Sequence, residues 1–173
     1  MEKKAIIWAL VGLAVTALGG TLLHFLFDWT GGSLWSAPFS GVNESTWEHM
    51  KLFFWPTALL AAVQSFFFVR RDFLCVKLKT VLTGLILIPL LYHTYNSIIA
   101  KSPDWLNIGI FFISAAFAYG QEIGYFTQEE APCTGRTTAL VLLLALAAAF
   151  VLFTFFPPRI LLFRDPVTGG YGI

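Results

Sequence analysis

Three histidines and two glutamates are the candidate catalytic residues of this 173-residue sequence. The histidines are His24, His49 and His93, and Glu44 and Glu48 shortly precede the second of them. Three neutral imidazoles and a water molecule form an open catalytic zinc site, which makes a nucleophile by lowering the pKa of the bound water. A carboxylate nearby can act as general base. The sequence therefore predicts a divalent metal such as zinc, held by the three histidines, with Glu44 or Glu48 as catalytic base.

The spacing of the histidines does not by itself show that they meet in the folded protein, because no pair follows a ligand pattern such as HxH, HxxxH or HExxH. Three nearby residues are expected to orient the imidazoles. Asp28 is four residues after His24, Asn96 is three residues after His93, and Asn43 begins the segment around His49. The alternative is a hydrogen-bonded polar cluster without metal, because polar residues also collect at membrane interfaces.

Ser45 and Glu48 have the spacing of a helix cap. In a capping box the serine hydroxyl accepts from the backbone N–H three residues later, and the glutamate returns to the serine N–H. This structural role accounts for Ser45 and Glu48 without catalysis. It does not account for Glu44 or His49, and it predicts that the second helix begins here.

The elements that position these residues follow from the composition. Hydrophobic residues make up 57% of the chain, charged residues 12%, and the mean hydropathy is +0.74. Soluble domains carry about 25% charge, so a soluble enzyme and a disordered chain are excluded. A net charge of +1 gives no basic surface for nucleic acid. The chain is therefore expected to be an integral membrane protein.

Five apolar runs predict an all-α bundle of five membrane-spanning helices in one domain, residues 1–173. Each run is continuous and has about the 20 residues that a spanning helix needs. The strands of a β-barrel would instead alternate apolar and polar residues. The C-terminal tail is too apolar to remain free in water, so we expect it to fold back over the polar residues. The spans are predicted at about 5–27, 46–70, 74–98, 105–126 and 138–156, with the tail at 157–173.

The lysines and arginines favour an N-terminus inside and a C-terminal tail outside. Seven of the 11 fall on the inner side and four on the outer side, and all three histidines then lie toward the outside. Cys75 and Cys133 fall on the inner side, where thiols are expected to stay reduced. A bacterial cytoplasmic membrane is the predicted location. The inner set is Lys3, Lys4, Arg70, Arg71, Lys77, Lys79 and Arg136; the outer set is Lys51, Lys101, Arg159 and Arg164.

Glu122 lies inside the fourth apolar run, where an acidic residue is a functional candidate by position. It is 17 residues after Trp105, or about 25 Å along a helix. We therefore expect it near the inner end, away from the histidines, unless the fourth helix is shifted.

Two long motifs resemble a family of small bacterial multi-pass membrane proteins known only as a domain of unknown function. They are VNESTWEHMK at 42–51 with FWP at 54–56, and the tail LFRDP at 162–166 through YG at 171–172. The pair His24 and Asp28 is a third point of resemblance. Together the three places extend the resemblance over essentially the whole chain. It implies no established activity. A more distant similarity is to membrane hydrolases that include alkaline ceramidases and the progestin and adipoQ receptors, which bind zinc through three histidines.

Three functions are compatible with the sequence. The first is a metal-dependent hydrolase acting on a lipid or another amphiphile. The second is a small transporter or ion-binding protein, with Pro56 and Pro89 breaking two helices and Gln64 and Glu122 lining a path. The third is a structural or accessory protein in which the polar motif locks helices together. Membrane lipids are the expected partners and nucleic acid is not, and the sequence leaves a homo-oligomer open.

Overall fold

Five helices follow the five apolar runs, and this confirms the predicted all-α fold class. The computed structural model describes residues 2–99, 103–129, 133 and 135–173. A short 3₁₀ turn at Leu161–Phe163 lies in the tail, and no strand occurs in the described ranges. The helices are α1 Glu2–Trp29, α2 Thr46–Gln64, α3 Phe73–Ile98, α4 Asp104–Thr127 and α5 Arg136–Phe155.

Four of the helices, α1, α3, α4 and α5, are long and apolar enough to cross a membrane. The second helix is not among them. It begins at Thr46 as predicted but ends at Gln64, six residues before the predicted end of the span. Most of α2 is buried against neighbouring parts of the chain, including Glu48 and Lys51. A helix shielded in this way needs no lipid-facing apolar surface, which explains its lower hydropathy.

Successive helices run in opposite directions and give the bundle two ends. At one end, the rings of His24 near the end of α1 and His49 at the start of α2 lie 5.7 Å apart between centroids. At the other, Lys4 Nζ near the start of α1 donates to the carbonyl oxygen of Phe67 beyond α2, at 2.6 Å. We call the first the histidine end and the second the disulfide end. Lys101, assigned to the outer side above, lies outside the described residues.

The disulfide end takes its name from a bond between Cys75 and Cys133, whose Cα atoms are 5.4 Å apart. This corrects the prediction of two reduced thiols. Cys75 lies in the first turn of α3 and Cys133 precedes α5, so the bond joins the α4–α5 connection to α3. The two residues are 58 positions apart and follow no pairing motif. Only the packing of the helices brings them together.

The core at the histidine end is aromatic. The ring centroid of Trp47 lies 4.6 Å from that of Phe150 on α5 and 4.6 Å from that of Phe163 in the tail. Further along α2, the ring of Phe53 fills the space that a side chain at Gly84 would take. Small residues of this kind let membrane helices approach closely. These contacts fix α2 against α3, α5 and the tail.

Candidate functional site

A cavity of about 550 Å³ lies at the histidine end, within the size range of small-molecule sites. The ends of α1, α2, α3 and α4 form its walls, and the tail contributes Pro166 and Val167. The lining contains both polar and apolar residues. The polar residues are His24, Glu44, Thr46, His49, Tyr92, Asn96 and Asn107, and the other apolar ones are Ile88, Ile108, Ile110 and Phe111.

Glu44 lies between two of the three histidines. Its Oε1 is 3.6 Å from His24 Nε2, and its Oε2 is 3.6 Å from His49 Nε2. The carboxylate belongs to the loop before α2, and 48% of its side chain is exposed. The fold therefore brings His24 of α1 to Glu44 and His49, which lie five residues apart at the start of α2. We call His24, Glu44 and His49 the His–Glu–His cluster.

The orientation of the His49 ring is fixed by the backbone. Its Nδ1 lies 3.0 Å from the carbonyl oxygen of Ser45. A carbonyl only accepts, so Nδ1 carries the proton and Nε2 of the neutral ring is left with a free lone pair. Burial lowers the pKa of His49. The Ser45 carbonyl and the Glu44 charge act in the opposite direction, but burial is the larger effect. His49 lies outside the four candidate spans, and near neutral pH it presents an unprotonated Nε2 to Glu44.

His24 is held differently. Its Nδ1 is buried and has no hydrogen-bond partner. Asp28 is exposed and does not supply the partner that we expected. Instead the backbone of Gly41 lies against the ring, and a Cβ at this glycine would come within 3.2 Å of His24 Nδ1. A side chain at Gly41 would make this contact tight, and the ring would have to shift by a few tenths of an ångström.

Glu48 is not part of the cavity lining. Its backbone N–H donates to Ser45 Oγ at 3.4 Å, as the predicted cap requires. Its side chain does not return to Ser45, however. Glu48 Oε2 accepts from the backbone N–H of Val42 at 3.0 Å and pairs with Lys51 Nζ at 2.6 Å. The Glu48 carboxylate is therefore buried and bound to Val42 and Lys51, and it does not take part in the cluster.

Lys51 extends the same network across the bundle. Its buried Nζ also donates to the carbonyl oxygen of Ala37 at 2.8 Å and to Thr154 Oγ1 at 2.9 Å. One ammonium therefore joins the α1–α2 loop, α2 and α5. Lys51 was assigned to the outer side from its charge alone, although a lysine three residues after a glutamate on a helix is a signal of pairing.

His93 does not join the other two histidines. It is on α3, its ring packs edge-on against Tyr92 at 5.2 Å between centroids, and it does not line the cavity. Its neighbours Tyr92 and Asn96 do line the cavity. Asn96 Nδ2 donates to the Tyr92 carbonyl at 2.8 Å. Asn107, which sequence reasoning missed, lines it from the start of α4.

Asn43 connects the cluster segment to the C-terminal tail. Its Oδ1 accepts from the backbone N–H of Ser45 at 2.9 Å, and its Nδ2 donates to the carbonyl oxygen of Gly172 at 3.0 Å. With Pro166 and Val167 in the cavity lining, these bonds confirm that the tail folds back onto the polar residues.

Glu122 lies apart from the cavity, as expected. Its carboxylate is buried on α4, pairs with Lys77 Nζ and accepts from Thr80 Oγ1 at 2.8 Å. Both partners are on α3. Lys77 also faces the rings of Phe73 and Phe126, at 5.7 and 5.5 Å from the centroids. Glu122 therefore has two partners on α3 inside the bundle.

In the part of the chain that the structure describes, no group of three or more His, Cys, Asp or Glu side chains could hold a metal ion. What the fold and the cavity define is an all-α membrane protein with a histidine–carboxylate pocket at one end of the bundle. The chain belongs to the family of unknown function DUF6512, whose family model matches residues 1–173. This confirms the resemblance to a family without an assigned activity. No curated protein and no solved structure matches the chain.

Proposed function

We propose that this protein is a hydrolase of a bacterial cytoplasmic membrane that acts on a lipid or another amphiphile. The single observation that carries the proposal is the joining of polar and apolar residues in one cavity. The lining combines the His–Glu–His cluster with apolar residues such as Ile108 and Phe111 of α4, a helix long and apolar enough to cross a membrane. An amphiphile can place its reactive group at the cluster and its chain along the apolar residues.

The cluster supplies the groups that hydrolysis of an ester or amide requires. A water molecule beside Glu44 attacks the carbonyl carbon, and the carboxylate accepts the proton of that water. The same proton passes to the leaving oxygen or nitrogen as its bond to carbon breaks, so that acid and alcohol or amine are released. A positioned general base of this kind contributes about 10² to 10⁴ in rate.

The test uses the full chain in nanodiscs made from bacterial membrane lipids. Released fatty acids and headgroups are measured by mass spectrometry, beside a panel of fluorogenic acyl esters of increasing chain length. We expect turnover by the native chain and a loss of about 100-fold in Glu44→Gln. The matched control is Glu2→Gln, an exposed glutamate at the opposite end, which keeps full activity. Absence of turnover, or equal turnover by Glu44→Gln, would contradict the proposal.

A second candidate function, ion or proton transport, is favoured by the pairing of Glu122 and Lys77 inside the bundle, because buried charges in membrane helices commonly mark transport paths. The predicted broken helices do not support it, since α2 and α3 continue through Pro56 and Pro89. Flux through reconstituted vesicles tests it. Transport predicts that Glu122→Gln abolishes flux in a folded protein.

A further inference from the structure

We infer that the cavity at the histidine end binds a ligand with a primary ammonium group, which is held between Glu44 and His49. This binding goes beyond the proposed function, because it requires no hydrolysis. Two features of the cavity support it. Two hydrogen-bond acceptors of the His–Glu–His cluster face each other, and the lining around them is suited to a positively charged group.

The two acceptors are His49 Nε2 and Glu44 Oε2. The Ser45 carbonyl keeps the proton of the neutral His49 ring on Nδ1, so Nε2 carries a lone pair. This nitrogen lies 3.6 Å from Oε2 of the Glu44 carboxylate, which also only accepts. Burial lowers the pKa of His49 and so keeps the ring unprotonated near neutral pH. The donor that joins these two atoms therefore has to come from a bound molecule.

His24 occupies the other oxygen of the same carboxylate. Its Nε2 faces Glu44 Oε1 at 3.6 Å, and its Nδ1 is buried without a hydrogen-bond partner among the described residues. Because a carboxylate accepts and does not donate, it favours the tautomer of neutral His24 with the proton on Nε2. His24 thus directs a donor at Oε1 and leaves Oε2 to the ligand.

An ammonium nitrogen fits between His49 Nε2 and Glu44 Oε2. Charge-assisted hydrogen bonds of this kind are about 2.8 Å long, and a nitrogen at that distance from both acceptors sees them about 80° apart. The N–H bonds of an ammonium diverge by about 109°, so each hydrogen bond bends only to about 157° and stays in the preferred range above about 150°. A quaternary ammonium has no N–H and cannot make either bond.

The rest of the lining favours a cation. Among the residues that the structure describes, no lysine or arginine lines the cavity, and a second carboxylate, Asp165, directly precedes the two tail residues of the lining. Asp165 accepts from two neutral donors, the Val167 N–H and the Thr168 hydroxyl, so it keeps its negative charge. Asn96 donates its Nδ2 to the Tyr92 carbonyl and keeps Oδ1 as an acceptor for a third N–H.

The test titrates octylamine near neutral pH into the purified full chain in phosphatidylcholine nanodiscs and follows binding by calorimetry, with empty nanodiscs as the blank. Two matched ligands serve as controls. Octyltrimethylammonium keeps the charge without N–H donors, and octanol keeps the chain without the charge. We expect octylamine to bind at least about ten-fold more tightly than either. The difference should disappear in Glu44→Gln and His49→Ala and remain in His93→Ala, a histidine outside the lining.

A second readout uses the native chain with isotope-labelled histidine. Octylamine should shift the nitrogen resonance of His49 Nε2, because the lone pair then accepts a hydrogen bond, and octyltrimethylammonium should leave it in place. Native mass spectrometry of chain released from mixed nanodiscs separates two sources of the ammonium. Retention of phosphatidylethanolamine over phosphatidylcholine would identify a lipid headgroup, and octylamine binding without that preference would identify a free amine.

Equal binding of octylamine, octyltrimethylammonium and octanol would overturn the inference, and so would native octylamine binding by Glu44→Gln. An ammonium at Glu44 occupies the proposed general base, so octylamine should also compete with substrate in the hydrolysis assay. Ammonium binding without turnover would reject only the proposed function. Turnover that octylamine leaves unchanged would reject only the ammonium site.

Discussion

Asn43 donates a hydrogen bond to the carbonyl oxygen of Gly172 at 3.0 Å and so joins the segment that begins α2 to the second-last residue of the chain. The tail reaches this position through a turn at Asp165, whose Oδ1 accepts from Val167 N at 2.9 Å and whose Oδ2 accepts from Thr168 Oγ1 at 2.6 Å. Pro166 and Val167 of the tail thus line the cavity, and Gly172 beyond them is held by Asn43.

Gly172→Ala should release the tail. This glycine has φ +68°, and a Cβ would lie 2.9 Å from Pro157 Cγ and 3.2 Å from the Thr154 carbonyl oxygen. The left-handed conformation alone costs a residue with a side chain about 1–2 kcal/mol, and the contacts add to that. Hydrogen–deuterium exchange of 164–173 should accelerate while exchange of α3 stays native. Unchanged protection of the tail would show that the close contacts relax without moving it.

Removal of one partner of the Glu48–Lys51 pair should destabilise the whole bundle. Both side chains are buried, so either Lys51→Met or Glu48→Gln leaves the other group without its partner. Breaking a buried pair costs about 3–5 kcal/mol. The double variant Glu48→Leu/Lys51→Met should recover part of the loss, because no charge is then buried alone. Thermal unfolding in detergent measures all three. A single variant as stable as the native chain would contradict the burial of this pair.

The Cys75–Cys133 bond predicts that neither thiol reacts with a maleimide polymer in the native membrane until a reductant is added. Cys75→Ser should lower the free energy of unfolding by about 2–4 kcal/mol, the usual contribution of a disulfide. A gel-shift assay with and without reductant checks the first statement, and thermal unfolding checks the second. Polymer labelling of unreduced native protein would show free thiols.

The same end carries Arg70 and Arg136. Positive charge favours the inner side of the membrane for this end, whereas an oxidised cysteine pair favours the outer side.

Close packing of α1 on α4 predicts opposite effects for two glycine substitutions. A Cβ at Gly12 would lie 2.8 Å from Cδ1 of Tyr119, whose hydroxyl is bonded to Thr16 at 2.7 Å and to Thr57 at 3.2 Å. Gly12→Ala must move that ring and break these bonds, and unfolding should occur at a lower temperature. Gly120 has no atom within 4 Å of its Cβ position. Gly120→Ala should therefore be neutral or should stabilise by up to about 1 kcal/mol through helix propensity.

The fold class could be predicted from the sequence because it depends on local properties. Continuous apolar runs of about 20 residues can satisfy their backbone only as helices, and the five helices follow these runs. Ser45 before Glu48 marked the start of α2 for the same local reason, and the apolar tail after Pro157 and Pro158 predicted its return to the bundle. The prediction of five spans counted α2, which is not among the four helices that are long and apolar enough to cross a membrane. Burial inside the protein lets α2 carry charges that lipid would exclude.

The partners of the polar residues were decided by the tertiary structure. His49 meets Glu44 and His24 rather than His93, Glu48 meets Lys51 and Val42, and Cys75 meets Cys133. Apolar periodicity says which side of a helix is buried, but it says little about rotation and depth relative to a neighbour. A shift of one helical turn, about 5 Å, is enough to separate two side chains that would otherwise bond. The chemistry of the cavity depends on these rotations and depths, which only the packed bundle determines.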